Sequence, residues 1–163
     1  MKGQERFTYK LLSAGDVGQV NSFFDKMGGE SRAFFDRRGY NRKRAVDFCL
    51  GKAPYSRYFG AFLGDKLSGL VFLLDSDTGI PEIGVALRDE LRGQGLGHEL
   101  VRFGIERARE LGAGGLYLTT HVANVRAQAL YESEGFRPVG TAKDGTELAY
   151  LLKFKVAARV NEC

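Results

Sequence analysis

Tryptophan is absent from this chain, and only two cysteines and three prolines occur among its 163 residues. Without tryptophan, no ligand cage can be built on an indole. Cys49 and Cys163 are far apart, and neither sits in a C-x-x-C or Cys/His pattern. Zinc and dithiol redox readings therefore have no support. The expectation is two reduced thiols, no metal, and a cytoplasmic protein. No apolar run approaches the ~20 residues of a membrane span. The longest, Leu67 to Leu74, is interrupted by Ser68 and Gly69, so no membrane association is expected. The opening residues, MKGQERFTYK, lack the apolar stretch of a secretory leader. Charge of one sign is also scarce: 24 basic against 20 acidic residues leaves +4. That is too weak to imply nucleic acid by itself.

Apolar residues make up 44% and charged residues 27%, values that exclude a disordered or low-complexity chain. A chain of this length buries roughly two thirds of its extended surface on folding. Its core needs no disulfide or metal staple. No linker, repeat or biased segment divides it, and a single domain over residues 1–163 is the economical reading.

Glycine is the residue in excess, with 22. Phe7 to Leu12 reads as a strand, followed by a helix from Ser13 or Asp16 towards Met27. A second helical stretch, Ser31 to Cys49, should break at Gly39. Tyr58–Leu63 and Leu67–Leu74, joined by Gly64-Asp65-Lys66, form a hairpin signal. Ile80–Leu87 is the next strand. Gly95–Leu111 is the clearest helix, with Leu96, Leu100, Val101, Ile105 and Ala108 on one face and Arg102 and Glu106 as an exposed pair. Leu116–Thr119 is a strand, Asn124 caps a helix over Val125–Glu134, and two strands, Phe136–Gly140 and Thr146–Phe154, close the chain. This order predicts an α/β (α+β) fold with a mixed sheet and helices on both faces.

The chemistry concentrates in Arg92–His98, RGQGLGH, between a strand and the strongest helix. Alternate glycines leave backbone amides uncovered, and the helix start adds unpaired N–H groups and a positive dipole end. Together they suit a phosphate or pyrophosphate. A Walker A loop needs a lysine after its last glycine, and none follows here. A G-x-G-x-x-G fingerprint fails as well, because its third position falls on His98 or Leu100.

The pattern that fits is R/Q-x-x-G-x-G/A, carried by Arg92, Gly95 and Gly97. With the preceding IPEIGVALRDEL and the downstream HVANVRAQALYESEGF, the sequence resembles the GNAT superfamily of acyl-CoA-dependent N-acyltransferases. The likeness is close over about Ile80 to Val139 and follows element order elsewhere. It implies the GNAT fold, a mostly antiparallel twisted sheet of six or seven strands, with acetyl-CoA as co-substrate.

By the same resemblance, Arg92, Gly93, Gln94, Gly95, Leu96, Gly97 and His98 would hold the pyrophosphate. Val85, Ala86 and Leu87 would pair with the pantetheine arm, and an N–H near Leu87 would polarise the thioester carbonyl. Asn124 matches a position that contacts the arm. Tyr131 matches the tyrosine that protonates the departing thiolate. The proline often found just before the loop arginine is replaced by Arg88-Asp89-Glu90-Leu91.

Thioester aminolysis needs a neutral amine, whereas a free alkylammonium has a pKa near ~10.4. A base must take the proton, directly or through water. Glu82, in an otherwise apolar strand, is one candidate; His121 and a water chain are others. No covalent intermediate is needed when amine and thioester are held together, so neither cysteine needs a nucleophile's role.

Between Glu30 and Gly60 eight basic residues face three acidic ones, with Phe34, Phe35, Tyr40, Phe48, Tyr55 and Tyr58 interleaved. The segment is either a solvated helical face with aromatics turned inward or part of an acceptor pocket. The expected function is acetyl transfer to a primary amine of unidentified class. A non-catalytic acyl-CoA sensor, a longer acyl donor and a basic RNA-binding domain are the alternatives. No nucleic-acid motif favours the last. A homodimer stays open, since GNAT-like domains often pair.

Overall fold

The structure, a computed structural model, describes residues 7–37 and 41–155. Expectations resting on Arg38, Gly39, Tyr40 and Cys163, and on the side chains of Glu30, Phe34, Asp36 and Arg37, lie outside it. The chain runs through β1 (Thr8–Leu11), α1 (Val17–Asp25), α2 (Gly29–Arg37) and α3 (Arg42–Cys49) into a hairpin, β2 (Ser56–Leu63) and β3 (Lys66–Leu74). Next come β4 (Glu82–Leu87), α4 (Leu96–Glu110), β5 (Gly115–His121), α5 (Val125–Ser133), β6 (Arg137–Ala142) and β7 (Glu147–Lys153).

The strands form one seven-stranded sheet in the order β1-β2-β3-β4-β5-β7-β6. Every neighbouring pair is antiparallel except β4 and β5. This is the mixed, mostly antiparallel sheet the sequence predicts. β3 is buried from Leu67 to Leu74, which explains its almost unbroken apolar run: helices cover both of its faces.

Two cores result. On one face Val20, Phe23, Ala45 and Cys49 from α1 and α3 pack with Leu70, Phe72 and Ala86. On the other, Val101 and Ala108 of α4 and Tyr131 of α5 pack with Leu73, Ile83 and Leu118. Each fully buried aliphatic side chain contributes about 1.5–3 kcal/mol by leaving water. Side chains along β4 alternate between these layers. Ile83 lies against Gly104 of α4, so Val85 and Leu87 share that face, whereas Glu82 and Ala86 turn to the α1–α3 side.

The surface pair expected between Arg102 and Glu106 is a correction. Arg102 reaches Glu134 beyond the end of α5 instead, Nε to Oε1 at 2.9 Å and Nη2 to Oε2 at 3.1 Å. The planar guanidinium takes both carboxylate oxygens, a stronger arrangement than an exposed pair one helical turn apart.

Candidate active site

β4 and β5 pair at one position only, Glu82 with Tyr117. There the Tyr117 amide donates to the Pro81 carbonyl at 3.0 Å. Along its other edge β4 stays in register with β3 through Leu87, and the Arg88 amide donates to Ser68 at 3.0 Å. Peptide groups of successive strand residues point to opposite edges. Residues 84, 86 and 88 therefore turn theirs to β3, and Val85 and Leu87 turn theirs into the gap. The gap exposes a short strand edge with no strand against it.

A cavity of about 850 Å³ fills this gap, within the usual range for small-molecule sites. Val85, Ala86 and Leu87 form one wall. Arg92, Gly93 and Gly95 form another, continued by Leu96, Gly97 and His98 in the first turn of α4. Asn124 and Tyr131 line it from α5. Of the sequence-predicted site residues, Gln94 and Glu82 are not among these walls; Gln94 is exposed beside them.

Gly93 and Gly95 hold φ of 80° and 77°. A Cβ at either would meet nothing within 4 Å, so the backbone conformation, not lack of room, favours glycine. A side chain there costs roughly 1–2 kcal/mol. This winding delivers the chain to Leu96, where the first amides of α4 have no intrahelical acceptor. The loop is thus suited to an anion, and Arg92 and Arg126 add cationic side chains, and His98 an imidazole, to the walls.

His98 is held from behind. Its Nδ1 lies 2.8 Å from Glu134 Oε2 and 3.3 Å from Ser133 Oγ. Burial raises the Glu134 carboxyl, but hydrogen bonds and charge from Arg102 and His98 outweigh it and hold the group below the usual carboxylate range. An ionised Glu134 only accepts, so Nδ1 carries the proton and Nε2 is the ring nitrogen left for a ligand.

The loop is also fastened from below. In the Arg88–Leu91 stretch, which has no proline, Arg88 is buried and its Nε donates to the Leu67 carbonyl at 2.8 Å. Asp89 pairs with Arg92 at 3.1 Å, and Arg92 also contacts the Ser31 hydroxyl. Asn124 Oδ1 accepts from the Ala127 amide at 3.3 Å; its own NH₂ is not used in that cap. Tyr131 is 3% exposed, its ring edge-on to Phe136 at 5.7 Å.

Glu82 lines a second cavity of about 260 Å³, together with Arg44, Asp75, Tyr117, Thr119 and Lys143. His121 lines neither cavity, and its Nδ1 accepts from the Ala123 amide at 3.0 Å. Sequence reasoning missed Met27, Ser31 and Phe35, and it missed Arg126, Leu130 and Ser133. Ser31 and Phe35 on α2, and Arg126, Leu130 and Ser133 on α5, recur at three- or four-residue spacing, the signature of one helical face; that was the available signal, and Met27, in the turn before α2, left none. Among the described residues no group of three His, Cys, Asp or Glu could hold a metal ion. No helix among them is long and apolar enough to cross a membrane.

A profile of the Acetyltransferase (GNAT) family matches residues 23–136. The uncharacterized N-acetyltransferase YvbK of Bacillus subtilis (strain 168) is 34% identical over 80 residues, 48% of this chain and 52% of that protein. The chain thus spans about half the length of that relative. Among solved structures, the paiA N-acetyltransferase of Thermoplasma acidophilum in complex with coenzyme A superposes with a TM-score of 0.75 at 17% identity, over 92% of this chain and 100% of that one. The ribosomal-protein-S18-alanine N-acetyltransferase of Escherichia coli superposes with a TM-score of 0.70 at 19% identity, over 94% and 97%. At such identities the likeness is one of fold.

Proposed function

The chain belongs to the acetyltransferase (GNAT) family, and from that membership we propose that it transfers the acetyl group of acetyl-CoA directly to a primary amine. One observation carries the reading. A single cavity contains the open edge of β4, the glycine loop at the start of α4, and Tyr131. Those are the parts a long, anionic, amide-containing thioester needs, in the order it would meet them.

Amides of residues 93–98, with the Arg92 guanidinium, take the pyrophosphate. The peptide groups of Val85 and Leu87 pair with the pantetheine amides as a neighbouring strand would. The Leu87 N–H then faces the carbonyl as negative charge develops on its oxygen. Asn124 offers its amide NH₂ to the arm.

In the transfer itself the amine nitrogen forms a bond to the thioester carbon, and the carbon–sulfur bond breaks. Tyr131 gives its hydroxyl proton to the departing sulfur. Glu82 stands three residues before Val85, about 10 Å by strand rise. It receives the amine's proton through water, not by direct contact.

Calorimetric titration with acetyl-CoA tests this, with NADH and ATP as controls and thiol release followed over an amine panel. Selective acetyl-CoA binding with release stimulated by one amine class is the expected result. Binding without stimulated release by any acceptor would leave a sensor of acyl-CoA. No binding would overturn the assignment of the loop and the cavity.

A further inference from the structure

We propose that the second cavity selects the acceptor as a small zwitterion, a primary amine that carries its own carboxylate. The inference rests on the acetyltransferase reading and deepens it. Glu82 sits at the one point where β4 and β5 pair, so the cavity it lines adjoins the gap assigned to the thioester.

The walls of this cavity carry two cations, Arg44 from α3 and Lys143 from the β6–β7 turn, and two carboxylates, Glu82 and Asp75. Their formal charges cancel. A dication would set its second ammonium among the cations, where like charges repel. A plain alkylamine would cover charged walls without answering them, at a desolvation cost. An amino acid answers both signs: its amine end reaches toward the gap, where water links it to Glu82, and its carboxylate turns to Arg44 and Lys143. A guanidinium has five N–H donors and an ammonium three. Each can therefore serve a ligand carboxylate alongside the contacts it already makes.

Size points the same way. About 260 Å³ equals roughly nine waters at ~30 Å³ each, which suits a molecule of about ten non-hydrogen atoms.

The test uses the full chain with acetyl-CoA and a series of ω-amino acids from glycine to ε-aminocaproate, each set against its own carboxamide, with n-butylamine, putrescine and an alanyl peptide for comparison. For the best length, kcat/KM should favour the acid over its amide by about ten-fold or more, the worth of one charge-assisted hydrogen bond. Arg44→Gln and Lys143→Gln should each remove most of that ratio, with acetyl-CoA affinity by calorimetry as in the parent. Lys143 lies in a turn, so its variant keeps the test decisive should Arg44→Gln fail to fold.

Equal use of acid and amide, preference for the diamine or the peptide, or a ratio that survives both substitutions would overturn the zwitterion assignment while leaving the acetyltransferase reading intact. Absence of acetyl-CoA binding would take down both, and calorimetry separates that outcome from the others.

Discussion

The Asp89 carboxylate accepts the amide hydrogen of Gly28 at 2.8 Å, joining the loop before α4 to the start of α2. The same carboxylate takes the Ser31 hydroxyl at 3.1 Å and pairs with Arg92 at 3.1 Å. Met27, Ser31 and Phe35 wall the large cavity from the α1–α2 side, and Arg92 walls it from the loop. One acidic residue thus sets the distance between two sides of the proposed acyl-CoA site. A Cβ on Gly28 would fall on the tip of that carboxylate, which would have to swing out of its contacts to make room.

Gly28→Ala should therefore displace the Asp89 carboxylate and destabilise the fold by roughly 0.5–1.5 kcal/mol, the net worth of a hydrogen bond. It should lower Tm by about 2–4 °C per kcal/mol and weaken acetyl-CoA binding. Asp89→Ala removes the obstacle together with the tie. The double variant should then be less damaged than the two single losses added together. Thermal unfolding and calorimetry on the four proteins check this; strict additivity would mean that the contact does not set the geometry.

Tyr131→Phe should reduce kcat by about 10²–10⁴-fold, the range for loss of a positioned proton donor, and leave acetyl-CoA affinity nearly unchanged. The ring and its edge contact with Phe136 are kept, so only the hydroxyl is removed. Thiol release under saturating acetyl-CoA and amine gives kcat, and titration gives Kd. A variant as fast as the parent would end the acid assignment.

Much of this site was legible because its logic is local. The loop glycines, the N-cap Asn124 and the apolar stripe of α4 lie within short windows whose spacing reveals their geometry. The open edge at Val85 and Leu87 was legible only through resemblance, since no local pattern says that β4 and β5 part after one pair. Arg102 was misjudged for a related reason. Glu106 is its neighbour in sequence, but the end of α5 brings Glu134 to it across the fold. The tie from Asp89 to Gly28, 61 positions apart, left no periodic trace either. Glu82 shows what an isolated residue type can reveal: a carboxylate in an apolar strand marked a special position, but the second cavity around it came from α3, β5 and the β6–β7 turn together.

The clamp on His98 predicts an acid-sensitive step. The Glu134 carboxyl is held below its ordinary value of 4.5 because Arg102 and His98 outweigh its burial. A depressed carboxylate contributes stability that is complete above the unfolded-state value and is lost as pH falls through the folded one. The parent should therefore lose Tm more steeply than Glu134→Gln as pH falls below about 4.5. Near neutral pH the variant should be the less stable of the two and should bind acetyl-CoA more weakly, since His98 loses its ionised acceptor. Parallel pH dependence in the two proteins would show that Glu134 does not carry the step.

The glycine loop allows conformation and space to be separated. A Cβ at Gly95 would meet nothing within 4 Å, yet its φ is 77°. Gly95→Ala should cost roughly 1–2 kcal/mol from the left-handed conformation alone, and Gly95→Asn should cost less, because asparagine tolerates that region. Gly95 is the N-cap of α4, so any relaxation of its φ would also re-aim the first amides of the helix. Acetyl-CoA affinity should then fall in the order Gly, Asn, Ala, in step with stability. Unfolding curves and titrations on the three proteins decide the matter. Affinity that stays level while stability drops would mean that the loop amides do not hold the ligand.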